Sequence, residues 1–162
     1  MEPTLTPLFH PQSVAIVGVS HNPSGMGRRI FDCMLAAKYR GEIFPINKDG
    51  AAVEGYQGYK SVRDVPHSID LAVIAVPRPA VAAVVDDCAA KGVKALVLIT
   101  AGYAEAGAEG RALQDELVAK VRAAGMRMVG PNCMGVLTAE ADAPMNGSFS
   151  PISNSFLTTE NS

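Results

Sequence analysis

Five short apolar runs recur along the chain with no polar alternation, at positions 14–17, 42–46, 71–76, 95–99 and 126–129. A strand with one wet face alternates apolar and polar residues, so unbroken runs of this length describe strands covered on both sides. Helical spacing fills most of the gaps between them, over 27–37, 78–91 and 110–124, with a shorter turn around 61–65. Each of these ends near a glycine or proline. The resulting order, β-α-β-α-β-α-β-α-β, predicts an α/β fold: a Rossmann-like, doubly wound parallel sheet in a single domain.

At 162 residues, the chain is long enough for one such core. Its formal charge of -2 argues against a nucleic-acid partner, which would need a strong basic excess. The opening "MEPTLTPLFHPQ" carries acids and prolines where a secretory leader has a basic start and an apolar centre, and no run approaches the length of a membrane span. A cytoplasmic protein is expected, without membrane partners. Cys33, Cys88 and Cys133 are far apart and lack metal-ligand spacing, so they are read as reduced thiols, and no metal site is expected. After Thr138 the pattern dissolves, and 146–162 is expected to be an irregular tail or the start of a following domain.

In a doubly wound sheet, ligands settle where strands end and helices begin. The loops in question read "GVSHNPSGMG" at 18–27, "NKDG" at 47–50, "PRPA" at 77–80, "TAGYAEAGAEG" at 100–110 and "GPNCMG" at 130–135. Gly18 closes the first strand, and Ser24, Gly25 and Gly27 bring backbone N–H groups at a helix start within reach of an anion such as a phosphate. The glycine spacing is longer than G-x-G-x-x-G, and the second strand ends in Asn47 and Lys48 where NAD binding wants a carboxylate. A lysine there suits a ligand with an additional phosphate near its ribose, as in coenzyme A or NADP. Cys133 invites a nucleophile reading, but His10, His21 and His67 all lie in other segments, so a wall residue is expected and no catalytic residue is assigned.

The segments "LFHPQSVAIVGVSHNPSGMGRRI", "GEIFPIN", "SVRDVPHSIDLAVIAVPRPAV", "GVKALVLITAGYAE" and "GMRMVGPNCMGV" closely resemble the N-terminal CoA-binding domain of ADP-forming acyl-CoA synthetases, and more distantly the succinyl-CoA synthetase alpha subunit. The resemblance extends over residues 8–145, the expected CoA-binding domain. It implies a phosphate loop at Gly18, Val19, Ser20, Asn22, Pro23, Ser24 and Gly25, with Lys48 on the second strand. Val76, Pro77 and Arg78 would form the adenine and pantetheine walls. Thr100, Ala101 and Gly102 would guide the thiol end, with Pro131, Asn132 and Cys133 beside them.

Two departures stand out: Lys48 follows Asn47 directly where relatives often insert a proline, and the chain after Ser148 no longer looks like the family. In that family a phosphorylated histidine and an ATP-grasp segment lie in further domains. The resemblance therefore implies that this polypeptide binds CoA or acyl-CoA, while ATP, Mg²⁺ and acid–thiol ligase chemistry come from synthetase domains or a subunit supplied in cis or in trans. Three alternatives stay open at this stage: a stand-alone CoA-sensing module, the CoA-binding part of a protein lysine acetyltransferase, and an NADP-dependent oxidoreductase.

Overall fold

A computed structural model of the protein describes residues 4–140 and 142–151. Five strands, β1 (Ser13–Val17), β2 (Glu42–Ile46), β3 (Leu71–Ile74), β4 (Ala95–Leu98) and β5 (Arg127–Val129), form one sheet in the order β2-β1-β3-β4-β5, every neighbouring pair parallel. Successive residues along each central strand feed two different cores. Ala15, Val17, Ala72, Ile74, Leu96 and Leu98 join one cluster, and Val14, Ile16, Leu71, Val73, Ala95 and Val97 join the other. Both clusters are dry, which is why the strands read as unbroken apolar runs.

Helices α3 (Arg78–Lys91) and α4 (Ala108–Ala123) cover the first cluster with Val81, Val85, Leu117 and Val121. The second cluster is covered by α2 (Met26–Ala36), through Ile30, Phe31 and Met34, and by Leu8 of the short α1 (Thr6–Phe9). Helices therefore lie on both faces, the doubly wound architecture expected from the order of elements. Gly92, left-handed at φ 80°, stops α3, and its N–H and that of Val93 take up carbonyls of the last turn. The short helix expected around 61–65 is a single 3₁₀ turn, Val62–Asp64, with Ser61 and Asp64 capping each other's backbone N–H groups.

The chain beyond Thr138 corrects the expectation of irregular structure. Strand β6 (Gly135–Thr138) turns back into β7 (Met145–Ser148), pairing antiparallel from Gly135–Ser148 to Thr138–Met145. The domain end expected at 145 thus falls inside a strand. This hairpin packs on α2, with Met145 and Val136 in the second cluster. Its sequence, "MNGS", carries no apolar period because its buried polar groups are satisfied locally. The Asn146 Oδ1 accepts from the Ser148 N–H at 3.1 Å and from the Ser148 hydroxyl at 2.6 Å. The remainder of the expected tail, 152–162, lies outside the described residues. No helix among the described residues is long and apolar enough to cross a membrane.

Candidate functional site

The sheet order reverses direction between β1 and β3, and the loops leaving their C-terminal ends therefore diverge to opposite faces, opening a crevice. Gly18 makes the first loop possible. It sits at φ +101°, and a Cβ on it would stand 2.3 Å from the Ala75 carbonyl oxygen at the end of β3. The Gly18 and Val19 N–H groups donate to the Ile46 carbonyl at 2.9 and 3.1 Å, tying the loop to β2.

Farther along, the loop satisfies itself. The Ser24 N–H donates to the Asn22 Oδ1 at 3.0 Å, and the Gly25 N–H donates to the Asn22 carbonyl at 3.0 Å. Two of the groups expected to face an anion are consequently committed to the turn. The donors that remain belong to the first turn of α2, at Met26, Gly27 and Arg28, and no side chain caps them. The macrodipole adds partial positive charge at the same place, so this helix start fits a phosphate or pyrophosphate group. Ser20, His21, Asn22, Pro23 and Ser24 are exposed around it.

The loops after β3, β4 and β5 are laced to one another. The Thr100 hydroxyl donates to the Val76 carbonyl at 2.6 Å, and the Asn132 N–H donates to the Thr100 carbonyl at 3.1 Å. The Arg78 guanidinium donates to the Gly102 carbonyl at 2.7 Å, while Glu105 accepts from the Gly102 and Tyr103 N–H groups. Glu105, an exposed acid after the fourth strand, thus has a structural task, and its carboxyl lies below the usual range because those backbone N–H groups favour the anion.

These ties frame a cleft of about 440 Å³ whose walls include Val76, Thr100, Ala101, Asn132 and Cys133. Met26 lines it as well, so the uncapped start of α2 opens directly into it. The structure therefore gathers five of the expected residues around one space. Pro77 and Arg78 lie exposed at the start of α3, Gly102 is under the Arg78 side chain, and Pro131 follows the cis Gly130–Pro131 bond beside the cleft. Lys48 stands apart, on the exposed turn that Gly50 closes by donating to the Asn47 carbonyl at 3.0 Å. It has no ion-pair partner among the described residues.

Residues 12–139 match the family described as the CoA binding domain. The chain belongs to that family. The CoA-binding domain is 38% identical over 141 residues to the alpha subunit of the ADP-forming acetate–CoA ligase II of Pyrococcus furiosus, a match covering 87% of this chain and 30% of that one. A more distant match, 36% identical over 95 residues and covering 56% of this chain and 30% of the relative, is to an ADP-forming succinate–CoA ligase alpha subunit of Archaeoglobus fulgidus. Among solved structures, the dinucleotide forming acetyl-coenzyme A synthetase 1 of Ca. Korarchaeum cryptofilum, in complex with phosphate and ADP, superposes with a TM-score of 0.87 at 40% identity, covering 92% of this chain and 31% of that one. The chain thus spans about a third of the length of these relatives.

Sequence reasoning missed half of the cleft. Met26, Ala75, Ile99, Met134 and Phe149 complete its lining. Met134 is 61% exposed and Met26 38%, and exposed methionines in a loop or at a helix start carry no period by which a sequence would announce them. Phe149 was hidden in the expected tail and is brought in by the β6–β7 hairpin, with the Arg29 guanidinium 5.8 Å from its ring centroid. Cys133 is half-buried in the domain, and burial pushes its thiol up from the ordinary range while the Sγ donates to the Leu98 carbonyl at 3.4 Å. A thiol held protonated in this way is a poor nucleophile. Cys133→Ala is expected to leave CoA affinity within about tenfold, roughly 1.4 kcal/mol, by titration calorimetry. An acyl adduct on Cys133 after incubation with an acyl-CoA, seen by mass spectrometry, would contradict the wall role.

Proposed function

We propose that this domain holds coenzyme A extended across the C-terminal edge of its sheet and serves as the CoA-binding part of an ADP-forming acyl-CoA synthetase. The observation that carries this reading is the run of unused N–H donors at the start of α2 opening, through Met26, into a cleft floored by Thr100, Asn132 and Cys133. The pyrophosphate sits on the helix start, and the pantetheine arm enters the cleft with its thiol toward Cys133. Lys48 takes the 3′-phosphate. The synthetase identity is supported by curated ligases in which the matched segment is a minor part of the relative, 30%, 21% and 30% of its length in three of them. ATP, Mg²⁺ and the acyl carboxylate are handled by those further parts.

Calorimetric titration with CoA, dephospho-CoA, NADP and NAD tests the assignment. CoA is expected to bind best, with dephospho-CoA weaker by about tenfold from the lost charge-assisted contact to Lys48. Equal affinity for CoA and dephospho-CoA would remove Lys48 from the site, and preference for NAD over CoA would remove coenzyme A altogether.

A further inference from the structure

Between β2 and the 3₁₀ turn the chain makes a closed excursion, 47–59, of which sequence reasoning read only 47–50. Asn47 clamps its near side: its Nδ2 donates to the Ala51 carbonyl and its Oδ1 accepts the Ala51 N–H, both at 2.9 Å. Tyr59 clamps its far side by donating to the Pro45 carbonyl and accepting from the Asn47 N–H. In between, Val53 and Tyr56 exchange both backbone hydrogen bonds around Glu54 and Gly55, a two-residue turn with both central residues left-handed, at φ 49° and 82°.

This small hairpin is docked on α2. Val53 is 1% exposed within the second core cluster, and the Tyr56 ring meets the Phe31 ring edge-on at 5.4 Å. The Glu54 carboxylate accepts from the Arg28 guanidinium at 2.6 Å, and Arg28 also donates to Asp32 at 2.9 Å. Glutamate is a costly residue for a left-handed turn position, where Asn, Asp or Gly fits without strain. Its side chain accounts for its presence there, because that side chain reaches the first turn of α2. Arg28, 14% exposed and held by two carboxylates, belongs to the turn whose N–H groups are uncapped.

We propose that Glu54 and Arg28 form a positioning pair that locks the excursion bearing Lys48 against the start of α2. The pair sets the registration between the two ends of one ligand, the pyrophosphate on α2 and a second phosphate at Lys48, and so determines discrimination in favour of a nucleotide carrying that second phosphate. This rests on the coenzyme A reading above.

The test is the ratio of affinities for CoA and dephospho-CoA, measured by calorimetry in the wild-type chain and in Glu54→Gly and Glu54→Gln. Glycine relieves the left-handed strain while removing the carboxylate, so it separates positioning from folding. Thermal unfolding of Glu54→Gly is expected to stay near wild type, its CoA affinity to fall about tenfold and its dephospho-CoA affinity to stay within about twofold, collapsing the preference. Glu54→Gln, which keeps the shape and loses the charge, is expected to follow. A wild-type preference that survives in Glu54→Gly overturns the inference alone, as does an equal gain for both ligands, which would mean that a released Arg28 binds phosphate itself. A wild-type chain that binds the two ligands alike overturns the Lys48 assignment and this inference together.

Discussion

Gly27→Val is expected to cost about 3 kcal/mol or more of folding stability, seen as a large fall in the denaturant midpoint, and to abolish CoA binding only as a consequence. A Cβ on Gly27 would stand 2.4 Å from the Gly18 carbonyl oxygen and 2.6 Å from its carbon. Those are backbone atoms at the end of β1, so the only relief is to lift α2 from the sheet, and α2 buries Ile30, Phe31 and Met34. Gly25→Val should behave in the opposite way. Its backbone, at φ -66° and ψ 138°, suits any residue, and the nearest atom to an added Cβ is the movable Ser20 Oγ at 2.9 Å. The fold should survive within about 1 kcal/mol. The valine methyls, however, would stand over the uncapped N–H groups, and CoA affinity should drop by at least about a hundredfold, close to 2.7 kcal/mol. A Gly25→Val chain that binds CoA normally would put the pyrophosphate somewhere other than the α2 start, and a Gly27→Val chain of native stability would show that the helix can retreat from β1 at little cost.

The contrast between these glycines also marks where sequence reasoning reached and where it stopped. Strands β1 to β4 were legible because burial on both faces writes an apolar run, as in "VAIV" and "LAVI", whereas β5 at the sheet edge is only partly buried and opens on the exposed Arg127. The helix start was legible to within a residue because glycine and proline punctuate it. Which N–H groups stay unused there was not, since that depends on Asn22 folding its side chain back onto Ser24, a competition between local and ligand hydrogen bonds. Strand β7 was illegible for a related reason: Asn146 and Ser148 are buried yet bonded to each other, and a sequence reader takes polar residues for surface. The docked hairpin did leave a trace, Glu54-Gly55 between Val53 and Tyr56, a variant of the Asp-Gly turn. The cleft's apolar rim left none, for Met26, Met134 and Phe149 come from a helix start, a loop and a strand end and meet only in space.

The 162-residue chain by itself is expected to form no ADP from ATP, CoA and acetate, and turnover should appear only when further synthetase domains are supplied in cis or in trans. Making a thioester this way requires a site for the nucleotide and its Mg²⁺, a group to carry the phosphoryl, and a pocket for the acyl carboxylate. The sequence contains no G-x-x-x-x-G-K-[ST], and among the described residues no group of three or more His, Cys, Asp or Glu side chains is arranged to hold a metal ion. The three histidines have other surroundings. His10 faces Glu140 at 3.6 Å, His67 is stacked on Phe44 and lies 3.7 Å from Glu42, and His21 is exposed in the glycine loop. A phosphoryl carrier must reach the acyl carboxylate, whose acyl phosphate the CoA thiol then attacks with release of phosphate, and none of these three histidines lines the cleft that holds Cys133. A coupled assay for ADP, run with the chain alone and then with the remaining parts of a relative's synthetase, separates the possibilities. Steady ADP release by the chain alone, lost on replacing His21 by alanine, would mean that the glycine loop carries the phosphoryl group and that this domain is itself a ligase.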